Sequence, residues 1–300
     1  MVQSQHVAER TVVWQVKSVE EALHKKLEYK DQAMYIAGGT YLQLQREKGI
    51  PFPPNLISLA LLPELQGISL EEEAESPFLQ VGAQTSLNTC LRDPLIISMF
   101  PLLVQAIKQV AAPAVRNRGT IGGNLSFGSG DLVPLLLAYD ASVSVLDDTG
   151  QKNIPLHEYI NQPSENSLII HVLLPLASVN AGEEETFSFY KKIGRREAFT
   201  TSQLSVAGRF QLSKDAKIIK ALLTVGSSEE YPRHLETIEN WLQGAVLTEE
   251  TAAGIHEVVM KSYQPGTDAF SSAKYRKRIL ANILTAEVMR AQENASYYKE

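Results

Sequence analysis

Two short stretches carry the residue types that could do chemistry. The first is Ala37-Gly38-Gly39-Thr40-Tyr41-Leu42; the second runs from Arg116 through Thr120, Gly122, Gly123, Asn124, Ser126 and Phe127 to Asp131. Paired glycines let backbone amides approach a ligand closely, or adopt positive φ without steric cost, and amides so presented suit a phosphate or another anion. The hydroxyls of Thr40, Thr120 and Ser126 and the amide of Asn124 would be polar anchors beside them. Each stretch taken alone reads equally well as a tight surface turn.

The surrounding pattern says which elements would position these residues. Thr11 to Val16 is rich in β-branched types and predicts a strand, after which Ser18 and Glu21 form a capping-box pair that opens a helix. A second strand, Ala33 to Ala37, runs directly into Gly38-Gly39-Thr40; Tyr41 to Lys48 then favours a helix closed by Gly49. In such a strand, glycine turn and helix the free N–H groups and positive dipole end of the helix face whatever the glycines admit. Pro51 to Pro54 predicts an extended spacer at a subdomain junction, followed by strands at Asn55–Leu59, Ile68–Leu70 and Phe78–Gly82 and by helices between Thr85 and Pro113. The second glycine stretch reads as a loop before a buried apolar run, Leu132 to Ala138, and strands at Ala141–Leu146 and Leu168–Leu174.

Small and acidic residues replace the apolar pattern between Ala177 and Glu185, which marks the main domain boundary. Beyond it, alternation puts Phe187, Phe189, Lys191 and Ile193 on one strand face and Ser188, Tyr190 and Lys192 on the other. A hairpin joins Leu204–Leu212 to Ile218–Val225. Helices are expected at Arg233–Gly244 and Glu249–Tyr263, and a last one from Ala273 carries a core stripe of Tyr275, Ile279, Leu280, Ile283, Leu284 and Val288.

Composition excludes several classes. Three hundred residues with 44% hydrophobic content predict two domains, each with its own core. The net charge of −6 comes from interspersed acids and bases, so neither nucleic acid nor a membrane surface is an expected partner. One cysteine, Cys90, excludes an intrachain disulfide and any cluster ligated by this chain's own cysteines. The six histidines lack ligand spacing, no metal site is expected, and His171 reads as a structural strand residue. No G-x-G-x-x-G opens a helix, no Gly-Lys-Ser/Thr closes a phosphate loop and no G-x-S-x-G forms a nucleophile elbow. No signal peptide or membrane-length apolar run is read, and the expectation is a soluble cytoplasmic protein.

AGGTYL near the start, RGTIGGNL later and YKKIGRREAF beyond the boundary together resemble the FAD-binding subunit, or medium subunit, of the molybdenum hydroxylases, the xanthine dehydrogenase and carbon monoxide dehydrogenase type. The resemblance spans almost the whole chain and extends to Tyr275-Arg276 at the last helix. It implies an α+β fold: a two-subdomain FAD-binding domain of the vanillyl-alcohol-oxidase (PCMH-like) kind over residues 1–178, divided near 54, and a C-terminal antiparallel sheet-and-helix domain over 179–300. It implies FAD as cofactor, with Ala37, Gly38, Gly39 and Thr40, and Tyr41 and Leu42 beside them, at the pyrophosphate, Tyr35 and Ile36 among the cofactor-binding residues, Thr120, Gly122, Gly123 and Asn124 on the diphosphate and ribityl side, and Asp131 at the adenosine ribose. Ser126, Phe127 and Leu174 would also line the cofactor, and Lys191 would sit near the flavin ring as the catalytic cation. Compared with the family pattern, the segment between Asn124 and Asp131 is shorter.

The implied function is electron transfer. An iron-sulfur small subunit would bring electrons from a molybdopterin-binding large subunit, and NAD or another acceptor would receive them. Two alternatives stay open: a self-sufficient flavin-dependent oxidoreductase acting directly on a small molecule, and a binding protein that keeps the fold without productive flavin chemistry.

Overall fold

The computed structural model describes residues 11–72, 75–164, 166–179, 185–195, 202–227 and 230–297. Arg196 to Phe199 of the third motif, and most of the linker between Ala177 and Glu185, lie outside the described residues. Three sheets organise the rest, in the α+β arrangement expected.

The first sheet is parallel. Strands β1 (Val12–Gln15), β2 (Ala33–Ile36) and β3 (Asn55–Ser58) lie in the order β1-β3-β2, with helix α1 (Val19–Tyr29) between the first two and α2 (Thr40–Glu47) between the last two. Ser18 caps α1 by accepting from the Glu21 amide, and Ala22, Leu23 and the stem of Lys26 bury its inner face. The Lys26 ammonium sits where the helix ends, donating to the Lys30 and Ala33 carbonyls at 2.9 Å each. The Pro51–Pro54 spacer does not divide subdomains as expected. It leads into β3, the central strand of this same sheet, whose Asn55, Leu56 and Ile57 are buried as a central parallel strand requires.

The second sheet is antiparallel, β4-β5-β8-β6-β7, built from β4 (Ile68–Glu71), β5 (Phe78–Gly82), β6 (Ser142–Asp147), β7 (Gly150–Pro155) and β8 (Leu168–Pro175). Six helices intervene in sequence between β5 and β6: α3 (Leu87–Cys90), α4 (Pro94–Met99), α5 (Pro101–Lys108), α6 (Pro113–Arg116), α7 (Ile121–Ser126) and α8 (Val133–Ala138). Another, α9 (Leu156–Asn161), follows β7. Leu79, Val81, Ile96, Phe100, Leu103, Ile107 and Ile121 fill the core between sheet and helices. The apolar run after the second glycine stretch is α8, a helix buried on every side.

The third sheet is antiparallel with order β12-β11-β10-β9: β9 (Glu185–Gly194), β10 (Ser202–Leu212), β11 (Ile218–Ser227) and β12 (Glu230–His234). Helices α10 (Glu236–Leu242), α11 (Glu249–Ser262) and α12 (Ala273–Tyr297) share a core with one face, through Phe189, Val206, Phe210, Ile255 and Leu284. The other face turns Tyr190 and Ala207 into the core of the second sheet, against α8 and α5. The expected helix at Arg233 starts at Glu236 instead, because Arg233 and His234 pair with Val225 and Thr224 as strand residues. Tyr275, expected in the core stripe, is 45% exposed. The buried line of α12 is Arg276, Leu280, Leu284 and Val288, spaced by four. Arg276 is accommodated there by the Gln203 and Gly266 carbonyls and the Asp268 carboxylate. Among the described residues, no helix is long and apolar enough to cross a membrane.

Candidate functional site

The two glycine stretches meet. At the end of β2 the chain turns through Ala37, Gly38 and Gly39 into α2, and Gly39 occupies the N-cap position with φ of 71°, a left-handed conformation that glycine adopts without strain. Gly38 lies directly against the backbone before Thr120: a Cβ on it would stand 1.8 Å from the Arg118 carbonyl oxygen. A Cβ on Gly119 would be 3.6 Å from the Thr40 hydroxyl, and one on Gly123 would be 3.9 Å from the Ala37 Cβ. Tyr41 and Phe127 add an aromatic wall, their ring centroids 3.7 Å apart. Residues Tyr35 to Tyr41 and Gly123, Asn124 and Phe127 are all half-buried, as the lining of a cleft is.

The two helix starts at this junction differ. Among the described residues no side chain caps α2, so the Thr40 and Leu42 amides of its first turn, which have no intrahelical acceptor, and its positive dipole end stay directed at the junction. The start of α7 is instead saturated. Thr120 caps it by accepting from the Gly123 amide at 3.0 Å, while the Ile121 and Gly122 amides donate to the Thr85 and Ala83 carbonyls. A Cβ on Gly122 would fall 2.6 Å from that of Ala83, so this glycine serves close packing. The stretch read as a loop is therefore a short helix, drawn into shape by the buried Ile121 and Leu125.

Two other expected polar anchors, Ser126 and Asn124, are also engaged. The Ser126 hydroxyl donates to the Gly122 carbonyl, and Asn124 Oδ1 accepts from the Leu132 amide at 3.2 Å, with Gly130 packed against that side chain. Tyr35 keeps a buried hydroxyl without a hydrogen-bond partner among the described residues, and burial raises its pKa well above the usual phenol range. Ile36 packs under Gly39. Leu174, expected to line the cofactor, is fully buried in the β5–β8 ladder opposite Leu79, and its side chain belongs to the core.

Of two adjacent lysines, the one not singled out faces the first domain. Lys192 reaches Asp131 Oδ2 at 2.6 Å, and Tyr190 beside it donates its hydroxyl to the Asp131 carbonyl at 2.8 Å. Lys191, expected near the flavin ring, points to the opposite face and pairs at 3.3 Å with Glu287 on α12, a carboxylate that Arg290 also holds. Arg116 does not present its charge to a ligand: its guanidinium donates to the carbonyls of Lys108, Val110 and Ala111. Sequence reasoning missed Gly119, Gly130 and Lys192. The first two were visible as small residues inside the second stretch. Strand alternation separated Lys192 from Lys191 without revealing which face meets the first domain.

Arrangement and sequence both have counterparts among known proteins. A family model described as the FAD binding domain in molybdopterin dehydrogenase matches residues 6–177, and one described as the CO dehydrogenase flavoprotein C-terminal domain matches residues 188–291. The chain is 27% identical to the nicotinate dehydrogenase FAD-subunit of Eubacterium barkeri, over 89% of this chain and 91% of that subunit. It is 26% identical to the carbon monoxide dehydrogenase medium chain of Hydrogenophaga pseudoflava, over 87% of this chain and 89% of that one. In fold it resembles a solved chain of carbon monoxide dehydrogenase from the same organism, in a form lacking the Mo-pyranopterin moiety of the molybdenum cofactor. The TM-score is 0.83 at 24% identity, with 92% of this chain and 95% of that chain covered.

Proposed function

We propose that this chain, which belongs to the FAD-binding flavoprotein family of the molybdopterin dehydrogenases, is the electron-transfer subunit of a multi-subunit molybdenum hydroxylase. It is an oxidoreductase subunit with FAD as its cofactor, and the reading concerns how FAD is held and where electrons go. Substrate oxidation belongs to a molybdopterin-binding large subunit, an iron-sulfur small subunit relays the electrons, and NAD or another acceptor takes them from this chain.

The residues at the junction fit a dinucleotide. A pyrophosphate carries negative charge, and the uncapped start of α2 offers first-turn amides and a positive dipole end to receive it. Gly38 lets the two stretches close on one another, and the positive φ of Gly39 turns the chain into α2 at that point. Tyr41 and Phe127 wall one side, and the half-buried lining keeps bulk water away, so the amides act in a medium of reduced dielectric. FAD, when bound, supplies a redox centre that exchanges electrons one or two at a time. The protein's own task is to hold, orient and partly desolvate it.

The observation that carries the reading is the contact of Gly38 with Arg118–Gly119 at the uncapped end of α2. Two motifs far apart in the chain thereby form one cradle. The test is visible flavin absorbance in the purified chain. Gly123→Val and Asn124→Ala should each lose it, the first by striking the Thr120 cap and the second by freeing the segment that Asn124 ties to Leu132. A colourless protein that takes up no added FAD would end the proposal, and reduction of bound flavin by NADH would identify NAD as the acceptor.

A further inference from the structure

We propose that Lys192 is a positioning residue that staples the FAD cradle shut from the C-terminal sheet; the inference rests on the FAD reading above. The ammonium of Lys192 donates to the Gln109 carbonyl at 3.0 Å and to Asp131 Oδ2 at 2.6 Å. Gln109 and Asp131 are the two ends of the segment that carries Arg118, Gly119 and the Thr120–Asn124 turn. One cation from β9 therefore bridges both ends of the half of the cradle that Gly38 rests on.

The geometry around the staple is built rather than incidental. The Lys192 side chain is 7% exposed and that of Asp131 14%, so the ion pair is largely removed from water. Removing one partner of such a pair leaves the other charge buried without compensation, which costs far more than losing a surface pair. At the Gln109 end, Ala111 takes a positive φ of 42°, and Arg116 holds this turn by donating to the Val110 and Ala111 carbonyls at 2.9 and 2.6 Å. A non-glycine residue with positive φ persists only where its surroundings enforce it. At the Asp131 end, the Tyr190 hydroxyl adds a second bond from the same strand face, to the Asp131 carbonyl. Asp131 is thus committed to closing the cradle from outside. The C-terminal sheet, which supplies no glycine motif, sets how tightly the cofactor is kept.

The test compares FAD dissociation constants with amide hydrogen exchange across residues 109–131. Lys192→Met should weaken FAD binding by about tenfold, the equivalent of losing one strong polar contact, and should speed exchange in that segment. Asp131→Asn should act in the same direction. The double variant should be little worse than Lys192→Met alone, because both remove one interaction. Lys192→Arg should restore most of the affinity. Lys220→Met is the control: its pair with Asp140 also joins the domains, but the side chains are 50% and 44% exposed. The staple is refuted if Lys192→Met changes neither affinity nor exchange, if Lys220→Met does as much, or if the Lys192 and Asp131 effects add independently. If the unsubstituted chain takes up no FAD, the functional reading fails, and the exchange data alone then decide whether the staple exists.

Discussion

At the scale of single residues, four glycines that look alike in sequence have different physical reasons to be glycine. Gly39 needs positive φ, Gly38 needs contact with a backbone carbonyl, Gly122 needs to pack on Ala83 and Gly123 needs room beside the Thr120 hydroxyl. Gly38→Ala is the sharpest test of the junction. Its Cβ would stand 1.8 Å from the Arg118 oxygen and 2.5 Å from the Arg118 carbon, and a backbone cannot yield as a side-chain tip can. We expect loss of FAD binding together with a lowered thermal midpoint. Gly49→Ala, at φ of 86° with open space around it, should cost about 1 kcal/mol through strain alone and leave FAD bound. Equal FAD affinity in the two variants would remove Gly38 from the cradle. Glycine density made both stretches legible as candidates in the sequence. The division of labour was not legible, because the partner that explains Gly38 is a carbonyl from a distant part of the chain.

At the scale of elements, the strand, glycine turn and helix from Ala33 to Glu47 was readable because pattern, turn chemistry and the closing Gly49 agree. Helix α7 was not readable, since two glycines in six residues argue against a helix on propensity alone. Tertiary burial of Ile121 and Leu125 overrides that cost, and the cap by Thr120 fixes where the helix starts. Thr120→Val should therefore unpair the Gly123 amide and destabilise the chain by about 1 kcal/mol. The result would appear as a lower urea midpoint at unchanged slope. Thr120→Ser, which keeps the hydroxyl, should behave like the parent; if valine were tolerated as well as serine, the cap would contribute nothing.

At the scale of the whole molecule, the alternation along β9 was legible, but its assignment of faces depended on knowing that the sheet is sandwiched. One face meets α10 to α12 and the other meets α5 and α8, so Tyr190 and Lys192 join the first domain while Phe187, Phe189 and Lys191 stay with the second. The same docking creates a titratable contact away from the cradle. His234, on β12, bonds through Nδ1 to Glu239 at 2.9 Å, and the His157 ring of α9 meets it edge-on at 6.4 Å between centroids. Burial alone would lower the His234 pKa, but the Glu239 hydrogen bond and charge, helped by Asp140 and Glu236, outweigh it and leave the value raised. A raised pKa in the folded state means that the stabilisation is complete below the unfolded value of about 6.5 and is lost as pH rises through the folded one. His234→Gln keeps a donor for Glu239 but carries no charge. Its deficit in thermal midpoint against the parent should therefore be largest near pH 6 and should shrink toward about pH 9. A deficit that stays constant over that range would mean that the His234 charge does not contribute and that shape alone holds this part of the domain contact.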